Sequence, residues 1–225
     1  LCGSDGSACG MLATTPHGGT PRWSPDGRFV AYDARSEKDT HADIFIVEVD
    51  TLAVQRVTSS EADDVVPSWS RDGQKLYFSS NRTRTWEVYK VPARGGEPRQ
   101  LTREGGFAAF ETPDAKAVFY SRFNAPGLFQ VQVEGGSEKR LLDEPRCWGQ
   151  WTMTREGIYW LDAVEGGLTH LEFLGFESGA SRRVATLPHR PPCAESSLAA
   201  FPDGRSLLYV GVEESSDIAG VDEPL

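Results

Sequence analysis

The chain has 225 residues, with 23 Lys and Arg against 33 Asp and Glu, a formal net charge of −10. That balance, without any run of Lys or Arg, argues against a nucleic-acid-binding surface, which needs a basic stripe to displace counterions. No stretch of about 18 apolar residues occurs, so no segment reads as a membrane-spanning helix, while 23 Gly and 14 Pro spread along the chain fit many short strands and tight turns.

Residues 1–2 and 10–13 read as the last two strands of a partial repeat over 1–15. Cys2 and Cys9 flank Ser4-Asp5-Gly6-Ser7, a hairpin-turn sequence. The chain starts in mid-repeat without an initiator Met or a basic-then-apolar leader, which reads as a mature or excised piece of a longer protein.

The first full repeat spans residues 21–58. Residues 22–24 form a short strand, and Pro25-Asp26-Gly27 turns the chain. Asp there bonds its own backbone, and Gly is free to take positive φ. Strands follow at 29–33, 43–49 and 54–58, the third rich in β-branched and aromatic residues. A second repeat, 67–102, has the same order, with strands at 67–70, 75–79, 87–91 and 99–102. Trp23 and Trp69 lie 46 residues apart, as do Asp26 and Asp72.

The third repeat, 108–142, puts Phe110 in the Trp place and Ala115 in the Gly place of the turn, with strands at 118–121, 128–133 and 140–142. The fourth, 148–187, keeps Trp151 but has Arg155-Glu156-Gly157 for its turn, then strands at 158–161, 168–174 and 183–187. The fifth, 197–221, returns to Phe201-Pro202-Asp203-Gly204, with strands at 206–211 and 217–221. No window sustains a 3.6-residue period, so almost no helix is expected. Four strands per unit of about 40–50 residues mark a propeller blade. The expected fold is all-β: a β-propeller of four-stranded blades, about five plus a partial sixth, in a single domain over residues 1–225.

The phrase Trp-Ser-x-Asp-Gly, followed by an apolar strand and then an Asp/Glu-Ile/Val-Phe/Tyr-x-Val strand, resembles the TolB-like (WD40-like) propeller repeat. The Gly-His and Trp-Asp marks of WD repeats are absent. The resemblance implies a non-catalytic, bacterial module, periplasmic or otherwise extracytoplasmic, that binds protein or peptide partners or senses a ligand, as the sensory or interaction part of a signalling regulator or of a TolB-like periplasmic protein. It also admits the gating propeller of a prolyl-oligopeptidase-like serine peptidase whose catalytic domain is absent here, or an oligogalacturonide-lyase-like propeller.

Catalytic motifs are missing. No Gly-x-Ser-x-Gly elbow occurs. His17, His41, His170 and His189 show no zinc spacing, and no cysteine pair is C-x-x-C. The paired acids at 63–64, 213–214 and 222–223 read as solvated loop charge. The chain is therefore expected to be no enzyme, with no catalytic residue, cofactor or metal. Cys147 and Cys193 sit in equivalent loops before the first strands of neighbouring repeats, so disulfides 2–9 and 147–193 are both geometrically open, against four unrelated thiols.

One recurrence bears on binding. Arg35, Asn81 with Arg82 beside it, and Arg122 each follow the repeat's Trp or Phe by twelve residues (thirteen for Arg82). In a propeller these positions gather at one end of the channel, so Arg35, Arg82 and Arg122 are candidate binders of an acidic segment. The competing reading pairs each with a nearby acid such as Glu37, Asp43 or Glu87. Trp148, beside Cys147, is either an exposed binding anchor or buried under its loop.

Overall fold

The computed structural model describes residues 7, 9–13, 17–36, 39–163, 168–189, 191–193, 195–201 and 206–211. These hold eighteen strands and no helix. The first sheet contains β1 (Gly18–Trp23), β2 (Phe29–Ala34), β3 (Asp43–Glu48) and β4 (Val54–Arg56), in that spatial order. The second contains β5 (Asp64–Trp69), β6 (Lys75–Ser80), β7 (Glu87–Pro92) and β8 (Arg99–Gln100). The third contains β9 (Phe107–Glu111), β10 (Ala117–Ser121), β11 (Leu128–Gln132) and β12 (Lys139–Leu142). All are antiparallel meanders, the expected propeller blades. They fall in a first compact unit ending at Asp143.

A second compact unit begins at Glu144. It holds a fourth four-stranded sheet, β13 (Trp151–Met153), β14 (Gly157–Ala163), β15 (Thr169–Gly175) and β16 (Ser181–Leu187). A two-stranded sheet follows, β17 (Leu198–Ala200) with β18 (Leu207–Tyr209). The turn expected at 202–205 and the strand expected at 217–221 lie outside the described residues.

Each turn is built by its sequence. Ser24 Oγ donates to Asp26 Oδ1 at 2.6 Å and accepts the N–H of Phe29 at 2.9 Å, with Gly27 at φ 71°. Ser70 and Asp72 repeat this arrangement, with Gly73 at φ 68°. Thr112 and Asp114 do the same, and there Ala115 holds the left-handed position at φ 55°, which carries a steric cost for a residue with a Cβ.

The strands of the second sheet are apolar on both faces because that sheet is covered on both. From the first sheet, Val30, Tyr32, Phe45 and Val47 cluster on one side, joined by Leu12 and Ala13. Ala31, Ile44 and Ile46 turn the other way, against Leu76, Phe78, Tyr89 and Val91 of the second sheet. The reverse face of the second sheet offers Tyr77 and Val88 to Val118, Tyr120, Phe129 and Val131 of the third. Each fully buried Val, Leu, Ile or Phe among these contributes about 1.5–3 kcal/mol of transfer free energy.

Inner strands start earlier than their tryptophans suggest. Thr20, Val66 and Ala108 sit at φ 35°, 52° and 48°, each as the bulged residue of an inner strand. A β-branched residue at positive φ is a genuine outlier, and it persists here beside caps from the preceding sheet. The N–H of Val66 donates to Asp33 Oδ1 at 3.3 Å, and the N–H of Ala108 donates to Ser79 Oγ at 3.1 Å. A third tie between sheets is Glu111, which accepts the Arg71 N–H at 3.0 Å and the Tyr77 hydroxyl. The recurring aromatics differ in exposure: Trp151 is buried and Trp69 half-buried, whereas Trp23 is 49% exposed.

Candidate functional site

In the first unit the β2–β3, β6–β7 and β10–β11 loops leave the same end of their sheets as the β4–β5 and β8–β9 connections. This is the end opposite the Ser-x-Asp turns, and it carries Arg35, Arg82 and Arg122. Arg35 Nη2 lies 3.5 Å from Asp63 Oδ1. Arg82 Nη2 lies 2.9 Å from both oxygens of the fully buried Asp64 carboxylate, its Nε donates to Ser80 Oγ, and its guanidinium covers the Tyr89 ring at 4.5 Å. Arg122 lies 3.5 Å from Glu104 and 4.0 Å over Phe129.

All three guanidiniums therefore have acid partners, and those acids are Asp63, Asp64 and Glu104. Asp43 is held instead by Arg56 and by the Thr58 hydroxyl at 3.1 Å, and burial raises its carboxyl above the ordinary range despite Arg56. Glu87 is buried, accepting from the Thr102 hydroxyl at 2.6 Å and the Gly105 N–H at 3.1 Å. Glu37 lies outside the described residues.

At the same end of the sheets the structure brings together three rings. Phe107 packs edge-on to Trp86, with centroids 5.1 Å apart, and to Phe123 at 4.9 Å. Trp86 and Phe123 are 5.7 Å apart. Phe107 is buried, Trp86 half-buried, and Phe123, next to Arg122, is 42% exposed. This cluster is absent from the sequence-level candidates because its members come from three different strands or loops and do not recur at one repeat position. Trp86's departure from the repeat was the available signal.

On the same loop face lies an open cavity of about 470 Å³ lined by Ser60, Glu61, Ala62, Asn81, Arg82 and Arg84. Asn81 is fixed on Asp63: its Oδ1 accepts the Asp63 N–H at 2.9 Å and its Nδ2 donates to Asp63 Oδ2 at 3.2 Å.

The second unit places Trp148 under its loop, 8% exposed. The adjoining cysteine forms the disulfide Cys147–Cys193, with Cα atoms 5.1 Å apart. Gly149 allows the close approach that follows: a Cβ there would fall 1.9 Å from the Glu195 carbonyl oxygen. Cys9 is also disulfide-bonded, while Cys2 lies outside the described residues. Among the described residues no group of three or more His, Cys, Asp or Glu is arranged to hold a metal ion, and no helix is long and apolar enough to cross a membrane. His41 lies 4.0 Å from Asp63 across a loop edge.

Residues 10–158 match the model of the TolB beta propeller domain. The chain belongs to this family. It is 30% identical over 161 residues to the uncharacterized protein Atu1656 of Agrobacterium fabrum, a match covering 61% of this chain and 54% of that protein. It is 29% identical over 134 residues to dipeptidyl-peptidase 5 of Trichophyton equinum, covering 55% of this chain and 18% of that one. The chain thus spans about half of the first relative and under a fifth of the second. TolB from Acinetobacter baumannii shares the fold with a TM-score of 0.75 at 21% identity, covering 95% of this chain and 53% of that chain. The family match takes in the three sheets of the first unit, and so the whole of the arginine and aromatic face.

Proposed function

We propose that this chain is a non-catalytic binding module of a bacterial extracytoplasmic protein, and that it holds a segment of a partner protein on the loop face around Trp86, Phe107 and Phe123. The observation that carries this reading is Phe123: a large apolar ring, 42% exposed, packed on buried Phe107 and following Arg122 in the chain. Rigid aromatic anchors with arginine neighbours are the composition of interface hot spots. Arg122 flanks the partner segment, while Arg35 and Arg82 shape the loops through Asp63 and Asp64. Membership of the TolB family supports a protein-binding role, and the disulfides at Cys9 and Cys147 support an oxidising compartment.

Capture from the extracytoplasmic fraction of the source tests it. A stoichiometric partner held by the wild type and lost from Phe123→Ser and from Trp86→Ala supports the reading. A partner retained equally by both variants moves the site elsewhere. The likeness to dipeptidyl-peptidase 5 favours a second reading, a gating propeller beside a peptidase domain encoded outside this sequence. A Gly-x-Ser-x-Gly region in the same open reading frame would decide for it.

A further inference from the structure

The cavity is lined by side chains of opposite charge that are not paired with each other. Glu61 comes from the β4–β5 connection and Arg84 from the β6–β7 loop; both are exposed and both line the cavity. Among the described residues neither makes an ion pair, with the other or with any third residue, whereas Arg82 of the same lining pairs with Asp64.

The walls are held in place. Ser60 Oγ bonds the Ala62 carbonyl at 3.1 Å, the Ala62 N–H at 3.3 Å and Asp64 Oδ2 at 3.3 Å, which fixes the Glu61 turn. The Arg84 N–H donates to the Asn81 carbonyl at 2.8 Å, and Arg84 itself sits at φ 69°. A long side chain held in that left-handed conformation carries a steric cost.

Charge decides the ligand class. With the Arg82–Asp64 pair neutral, the cavity lining offers one negative group, Glu61, and one positive group, Arg84. A simple anion would meet Glu61 and a simple cation would meet Arg84, each with like-charge repulsion. We propose that this cavity binds a small zwitterion of the α-amino-acid class, free or as a short peptide, with its carboxylate on Arg84 and its ammonium on Glu61. The volume of about 470 Å³ lies within the range of small-molecule sites. This site is separate from the partner surface at Phe123, and either can fail without the other.

Calorimetric titration of the purified chain with each standard α-amino acid and with Ala-Ala tests the proposal. At least one zwitterion binds. Its N-acetylated form, which lacks the ammonium, and its amide form, which lacks the carboxylate, each bind about tenfold more weakly or worse. Arg84→Gln and Glu61→Gln lose about the same factor, Arg84→Lys restores most of it, and all three variants keep the wild-type unfolding midpoint. Tighter binding of Ala-Ala than of alanine assigns the site to peptides, and the reverse assigns it to free amino acids. The proposal is overturned if no zwitterion binds at millimolar concentration, or if blocked ligands and neutralised variants bind as well as the originals.

Discussion

Ser79 Oγ accepts the backbone N–H of Ala108 at 3.1 Å, joining the second strand of one sheet to the inner strand of the next. The same link recurs one sheet earlier between Asp33 and Val66. Ser79→Ala leaves the Ala108 N–H buried without this acceptor, which costs about 1–3 kcal/mol. Denaturant unfolding will show a lower midpoint with an unchanged slope.

The turn of the third sheet keeps a residue its backbone disfavours. Ala115→Gly relieves the left-handed conformation at φ 55°, while the unfolded chain gains freedom. The net effect is a stabilisation of about 0.5 kcal/mol. The equivalent reverse change, Gly73→Ala, lowers stability in the same assay.

Much of this fold was legible in the sequence, because turn chemistry and strand composition act locally. Ser24, Asp26 and Gly27 mark a turn wherever they occur, and Ile44 to Val47 read as a buried strand without any partner in view. The inner-strand bulges were not legible. Val66 sits at positive φ beside a cap from Asp33, 33 positions away, and nothing in local propensity reports that. The site divides likewise. Arg35, Arg82 and Arg122 follow the repeat, whereas the contact of Trp86, Phe107 and Phe123 arises only when two sheets pack. Trp148 had two open readings, and its burial decides between them.

The Cys147–Cys193 bridge closes a loop with a sequence separation of 46. In the chain-entropy account, such a loop contributes about 4 kcal/mol. Cys193→Ser, or reduction with dithiothreitol, will unfold the second unit at markedly lower denaturant, read from the fluorescence of Trp148, Trp151 and Trp160.

Acid sensitivity has two opposing sources. Ser24, Ser70 and Thr112 hydroxyls, then backbone N–H groups, hold the Asp26, Asp72 and Asp114 carboxyls below their ordinary value. Their contribution is complete above the unfolded value of about 3.9 and is lost as pH falls through the lower folded values. Burial raises Asp33 and Asp43, so the folded state takes up those protons first and gains stability as pH falls toward about 3.9. Urea midpoints will hold or rise slightly from neutrality to about pH 5 and drop below about pH 4, and Ser70→Ala will make the acid limb shallower.

The central claim is that the loop face around Phe123 meets a protein partner. The most direct measurement places a photo-crosslinking amino acid at position 123 in one variant and at position 74, in a turn at the opposite end of the sheets, in another. Irradiation in the extracytoplasmic fraction should give one discrete crosslinked partner from position 123 and none from position 74. The same crosslink from position 74 alone, or equal crosslinks from both, would contradict the account.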